Sequence, residues 1–179
     1  MLATFGLVVV TVAAAYVLYV LLRAYREFRG VRVVVCPETK AHAAVQLSAG
    51  RAAVSRLLGE PELRLSDCSR WPERRNCGQE CLTSIEAAPT DCLVRNMIRR
   101  CYQDKSCVLC GRNLSPMPWL ERPALLSPEG RTFEWVQVPA EMLPQTLAAA
   151  RPVCWNCHTE AVFRRLHPAA PSVRSSQDT

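Results

Sequence analysis

The apolar positions of this chain are gathered at one end. Met1–Leu22 (MLATFGLVVVTVAAAYVLYVLL) holds no charged side chain. A helix over that run is roughly 33 Å long at 1.5 Å per residue, against a hydrocarbon core of about 30 Å. Tyr16 and Tyr19 lie toward one end, where ring hydroxyls reach the interface. The run is too long for a signal-peptide core, has no basic residues before it, and leads into no polar cleavage region. The pattern predicts a single transmembrane helix over 1–22.

Beyond it the apolar runs are short and broken. Residues 23–35 read as a basic juxtamembrane segment leading into a first strand, since Gly30–Cys36 (GVRVVVC) is β-branched and stops at Pro37. Ala41–Ser48 suggests a second strand with Ala49-Gly50 as a turn, Arg51–Leu58 a short helix stopped by Gly59 and Pro61, and Leu63–Leu65 a third strand leading to Cys68. Ser69–Asn76 is a charged loop. Helices are expected over Cys77–Ala87 and Cys92–Tyr102, and Pro116 and Pro118 open a connector. Arg131–Val138 alternates like a strand edge. Pro139–Ala150 and Cys154–Leu166 read as helices, and 168–179 as a disordered polar tail. The fold class is therefore α+β: a transmembrane helix, a Cys-rich region over 36–104, and a metal-finger-like region over 105–167.

Charge sets the expected orientation. Arg23, Arg26, Arg29 and Arg32 face one acidic residue, Glu27, directly after the apolar run. Positive residues stay on the cytoplasmic side, so the prediction is a single-pass protein with its N-terminus out and its C-terminal domain in the cytoplasm. An Arg-, Ala- and Pro-rich composition fits a bacterium with GC-rich DNA, which makes the membrane the bacterial inner membrane. The lipid bilayer is then one partner, and a protein in the membrane or at its surface another.

That compartment bears on the ten cysteines, all of which lie beyond residue 35. A reducing cytosol disfavours structural disulfides, so clustered thiols read as metal ligands or redox groups. The strongest pattern is Cys107-Val-Leu-Cys110-Gly111 with Cys154-Trp-Asn-Cys157-His158. Two residues between cysteines let both sulfurs approach one ion, and a glycine after the second permits positive φ. Two such pairs complete a tetrahedral shell suited to zinc. A knuckle, then strands, then a helix carrying the second pair in its first turn resembles a treble-clef zinc finger over about Cys107–His167. The 43 residues between the pairs exceed the usual ribbon spacing of about 15–20, so an insertion is implied.

The rival reading of the second pair is haem c, because Cys154, Cys157 and His158 have the C-x-x-C-H form, with Met142, Met117 or His167 as a sixth ligand. It leaves Cys107 and Cys110 unexplained and conflicts with the expected topology. A second candidate metal set is Cys36, Cys68, Cys77 and Cys81, the last two read as i,i+4 partners on one helix face. An iron–sulfur cluster could use the same four. Cys101 reads as core, and Cys92, in a helix's first turn where the dipole would lower a thiol pKa, reads as core or cap-adjacent packing ahead of a spare ligand or reactive thiol.

No H-E-x-x-H, G-x-S-x-G, Walker or dinucleotide motif occurs. Arg70, Arg74 and Arg75 around Trp71, and Arg95, Arg99 and Arg100, could meet phosphates, but interleaved Asp67, Glu73 and Glu80 favour a solvated face over nucleic acid. The expectation is a non-catalytic membrane-anchored scaffold, interaction or assembly protein ordered by one or two zinc ions. A membrane-anchored electron-transfer protein with haem c or an iron–sulfur cluster is the alternative.

Overall fold

The computed structural model describes residues 2–71, 73, 76–115 and 124–168. The connector at 116–123, Arg74, Arg75 and the tail beyond 168 lie outside them. The chain divides into two compact units, 1–97 and 98–179.

The first unit begins with α1 (Leu2–Phe28), a helix longer than the apolar run alone. It is long and apolar enough to cross a membrane, and none of its most apolar window is buried. Only its last turns enter the core: Ala24 and Phe28 are buried in one cluster with Ala52 and Ala53 of α2 (Ala49–Leu58). The Ala49-Gly50 pair expected as a turn is thus the first turn of that helix. Three strands, β1 (Val31–Val35), β2 (His42–Leu47) and β3 (Leu65–Cys68), form an antiparallel sheet in that order. Val34 lies opposite Ala43, and Val45 opposite Cys68. Directly opposed residues share a face, so these four side chains build the buried side of the sheet. α3 (Cys81–Ala87) adds Cys81 and Ile85 to the same core. The segment before α4 (Val94–Tyr102) runs along the outer edge of β1, where the Val33 N–H donates to Cys92 O at 2.8 Å.

Arg32 does not belong to an exposed basic segment. It sits in β1 opposite Val45, with 0% exposure, and its guanidinium donates to the carbonyls of Phe28 (2.7 Å), Glu27 (2.8 Å), Gly30 (3.2 Å) and Pro89 (3.4 Å). The last carbonyls of a helix have no intrahelical donor and carry its negative end. Arg32 satisfies two of them at the end of α1 and also holds the loop before α4. The turn needed for a strand residue to reach back this way passes through Gly30 at φ +116, a conformation that favours glycine. A Cβ there would also meet Leu93 Cδ2 at 3.4 Å.

The second unit is built on another three-stranded antiparallel sheet. β4 (Ala124–Leu126) is its centre, flanked by β5 (Thr132–Glu134) and β6 (Arg151–Val153). The alternation over Arg131–Val138 yields only three strand residues before a 3₁₀ turn at Trp135–Gln137. A second 3₁₀ turn at Ala140–Met142 leads into α5 (Leu143–Ala149), with Pro144 in its first turn, where a missing N–H costs nothing. α6 (Trp155–Leu166) follows β6 and packs on β4 and β5. Tyr102 is buried, and its hydroxyl donates to the Ala124 carbonyl of the central strand.

Replacing Arg32 by Met should expose this dependence. The buried carbonyls of Glu27 and Phe28 would lose their donors, at an expected cost of about 2–4 kcal/mol in unfolding free energy. Arg32→Lys should recover part of the loss. Chemical denaturation of the detergent-purified protein, followed by circular dichroism, checks both.

Candidate metal centre

The first cysteine pair sits on a knuckle. The Cys107 N–H donates to Arg112 O and the Gly111 N–H to Cys107 O, both at 2.8 Å, and Ser106 bridges to Asn113. This reversal needs Gly111 at φ +74, in open space, as the glycine after Cys110 leads one to expect. The second pair is set by the end of a strand and the start of a helix. Cys154 follows β6 in extended conformation (φ −71°, ψ 156°) and precedes α6, and Cys157 lies in that helix's first turn. The two pieces meet because the Val108 N–H donates to Pro152 O at 3.2 Å, laying the knuckle beside β6.

The sulfurs of Cys107, Cys110, Cys154 and Cys157 all lie within 4.8 Å of one another. Cys110 Sγ and Cys154 Sγ are 3.7 Å apart, and the Cys154 N–H donates to Cys107 Sγ at 3.3 Å. Four sulfurs each about 2.3 Å from a central zinc stand roughly 3.8 Å apart. The donor set and its spacing therefore fit a tetrathiolate metal ion such as zinc.

The electrostatics differ from sulfur to sulfur. Burial pushes Cys107 up, but the N–H groups of Cys154, Cys110 and Leu109 outweigh it and bring the thiol down to about 6. Cys154 is raised, by burial first. Cys157 is raised well above the thiol range by burial and then by the sulfurs of Cys154 and Cys110. Without a cation the site favours a thiolate at Cys107 and opposes one at Cys154 and at Cys157. A divalent ion reverses that preference and displaces the protons.

His158 stands beside this set without joining it. It is buried, its ring lies 5.3 Å from that of Trp155, and its Nδ1 has no hydrogen-bond partner among the described residues. Burial lowers its pKa. Of the sixth ligands considered for haem, Met142 is exposed, His167 follows the end of α6, and Met117 lies outside the described residues.

The remaining cysteines are placed differently from expectation in two cases. Cys77 is not on a helix with Cys81. α3 begins at Cys81, and the chain between them passes through Gln79 at φ +57. Cys92 precedes α4, and its pKa is raised by burial rather than lowered by a helix dipole. Cys101, on α4, is half-buried and also raised by burial. Cys36 directly follows β1, and Cys68 ends β3.

Neither β4 nor β6 was expected from the sequence, although β6 carries the carbonyl that docks the knuckle. A signal for it exists only in retrospect: a Pro152 whose missing N–H is harmless on an edge strand. Comparison with models of protein families, with curated proteins and with solved structures found no match.

The shifted thiols make a directional prediction. In metal-free protein Cys154 and Cys157 favour the folded state while protonated, a contribution that is full below the ordinary thiol value near 8.5 and is lost as pH rises above it, whereas Cys107, held down to about 6, adds stability between about pH 6 and 8.5. Metal-loaded protein holds the same sulfurs deprotonated, and its stability should hold or rise over that range. Thermal unfolding between pH 7 and 9.5, with and without chelator, should show the two forms moving apart.

Proposed function

We propose that this chain is a membrane-anchored, non-catalytic scaffold or assembly factor whose C-terminal unit is ordered by one zinc ion. The convergence of Cys107, Cys110, Cys154 and Cys157 carries the reading. A knuckle, a β-hairpin and a helix bearing the second pair in its first turn follow the element order of a treble-clef finger. The unburied apolar length of α1 supports the anchor. The arginines just after residue 22 support a single pass through a bacterial inner membrane with the cysteine-rich units in the cytoplasm. A sheet of three short strands encloses little apolar volume, and a structural ion supplies folding free energy that such a core lacks. The partner is then another protein in the membrane or at its surface.

The electron-transfer reading places haem c on Cys154, Cys157 and His158. The sulfurs of that pair stand instead with Cys107 and Cys110, and this favours the tetrathiolate ion. Elemental analysis separates the two. The variant Cys107→Ser should abolish zinc binding at this site and melt the C-terminal unit. A haem protein would survive the loss of Cys107 and would contain iron. For topology, a C-terminal alkaline phosphatase fusion should be inactive and a C-terminal green fluorescent protein fusion bright. The opposite pattern would overturn the cytoplasmic placement.

A further inference from the structure

The first unit gathers its own thiols. Cys36 and Cys68 lie on the side of the sheet that carries Val34, Ala43 and Val45, because Val45 opposes Cys68 and Cys36 continues the alternation from Val34. Cys81 opens α3 beneath that face. The segment carrying Cys77 is held against β3 by the Leu65 N–H, which donates to Gln79 Oε1 at 3.1 Å. Three separate pieces of chain thus bring four cysteines to one cavity of about 30 Å³, lined by all four together with Arg70 and Trp71.

We propose that Cys36, Cys68, Cys77 and Cys81 form a second thiolate-ligated metal centre, independent of the first, that takes a zinc ion or an iron–sulfur cluster. Four thiols on one small cavity exceed what packing asks of a sheet this size. Two buried donors in the cavity wall, Arg70 Nε and Trp71 Nε1, have no hydrogen-bond acceptor among the described residues. Buried N–H groups are normally paired, and metal-bound thiolate or bridging sulfide is an acceptor of the kind they lack. Arg70 also brings positive charge to a centre whose four thiolates exceed the charge of a divalent ion.

The sulfurs influence one another across the cavity. Burial lifts Cys81 to about 11, and Cys68, Cys77 and Cys36 add to the rise. The hydroxyl and N–H of Thr39 pull Cys36 the other way. Among the described residues only the C-terminal four are drawn within 4.8 Å as a set. The N-terminal four stand more openly around their cavity. Closing on a single ion would draw in Cys36 and Cys77, the two partly exposed members; a cluster spans a wider square of sulfurs.

The test uses full-length protein in detergent, purified without chelator, and two variants. Cys36→Ser with Cys77→Ser changes partly exposed positions of this set, and Cys107→Ser with Cys110→Ser changes the other. Native protein should hold two metal centres. Each variant should lose one and keep the other, so failure of this site and failure of the C-terminal site read separately. Zinc identifies the single ion, and iron with acid-labile sulfide identifies the cluster. Alkylation of the native protein guards against a variant that merely misfolds: Cys36 and Cys77 should resist iodoacetamide until metal is removed. Unchanged metal content in the Cys36/Cys77 variant would overturn the proposal. So would equal alkylation with and without metal, or disulfides among these four cysteines.

Discussion

A guanidinium wholly withdrawn from water holds the first unit together. Arg32 answers the carbonyls that end α1 and a carbonyl of the loop before α4, while its backbone belongs to the strand beginning the sheet. Charge-assisted bonds to backbone oxygen are worth more than neutral ones, and a buried carbonyl left without a donor costs about 1–3 kcal/mol. One side chain therefore ties a helix end, a strand and a loop in a single bond network. It also fixes where β1 begins, directly after the turn at Gly30.

The second unit depends on a different compromise. Its sheet is short, and four sulfurs crowd where the knuckle, β6 and α6 meet. Thiols packed this closely gain little from one another when protonated and repel when ionised. The backbone N–H groups around Cys107 favour the first negative charge, and the surroundings of Cys157 oppose the last. The arrangement is balanced for a cation at its centre. Each unit gathers four cysteines beside its short sheet.

What could be read in advance follows from which signals are local. The apolar helix declares itself by composition, β1 by a β-branched run, and the knuckle by C-x-x-C-G, whose glycine takes the positive φ that the turn needs. β4 and β6 are three residues each, too short for any periodicity to register. Cys77 and Cys81 have helical spacing, but spacing alone carries no sign of Gln79 turning to positive φ between them. Arg32 is the plainest failure. Among Arg23, Arg26 and Arg29 it reads as one more flanking charge, and only the register of β1 against β2 turns it inward. That inward turn is a tertiary fact with no trace in its neighbours.

The helix that begins in the apolar run ends inside the core without a joint. From Leu22 to Phe28 is about 9 Å of continuous α-helix, and its last turns are clasped by α2 and by Arg32. A flexible linker would let the sheet move independently of the apolar stretch; a continuous helix does not. Any neighbour that tilts or rotates the apolar stretch would move the first sheet with it, and with the sheet the strand ends bearing Cys36 and Cys68.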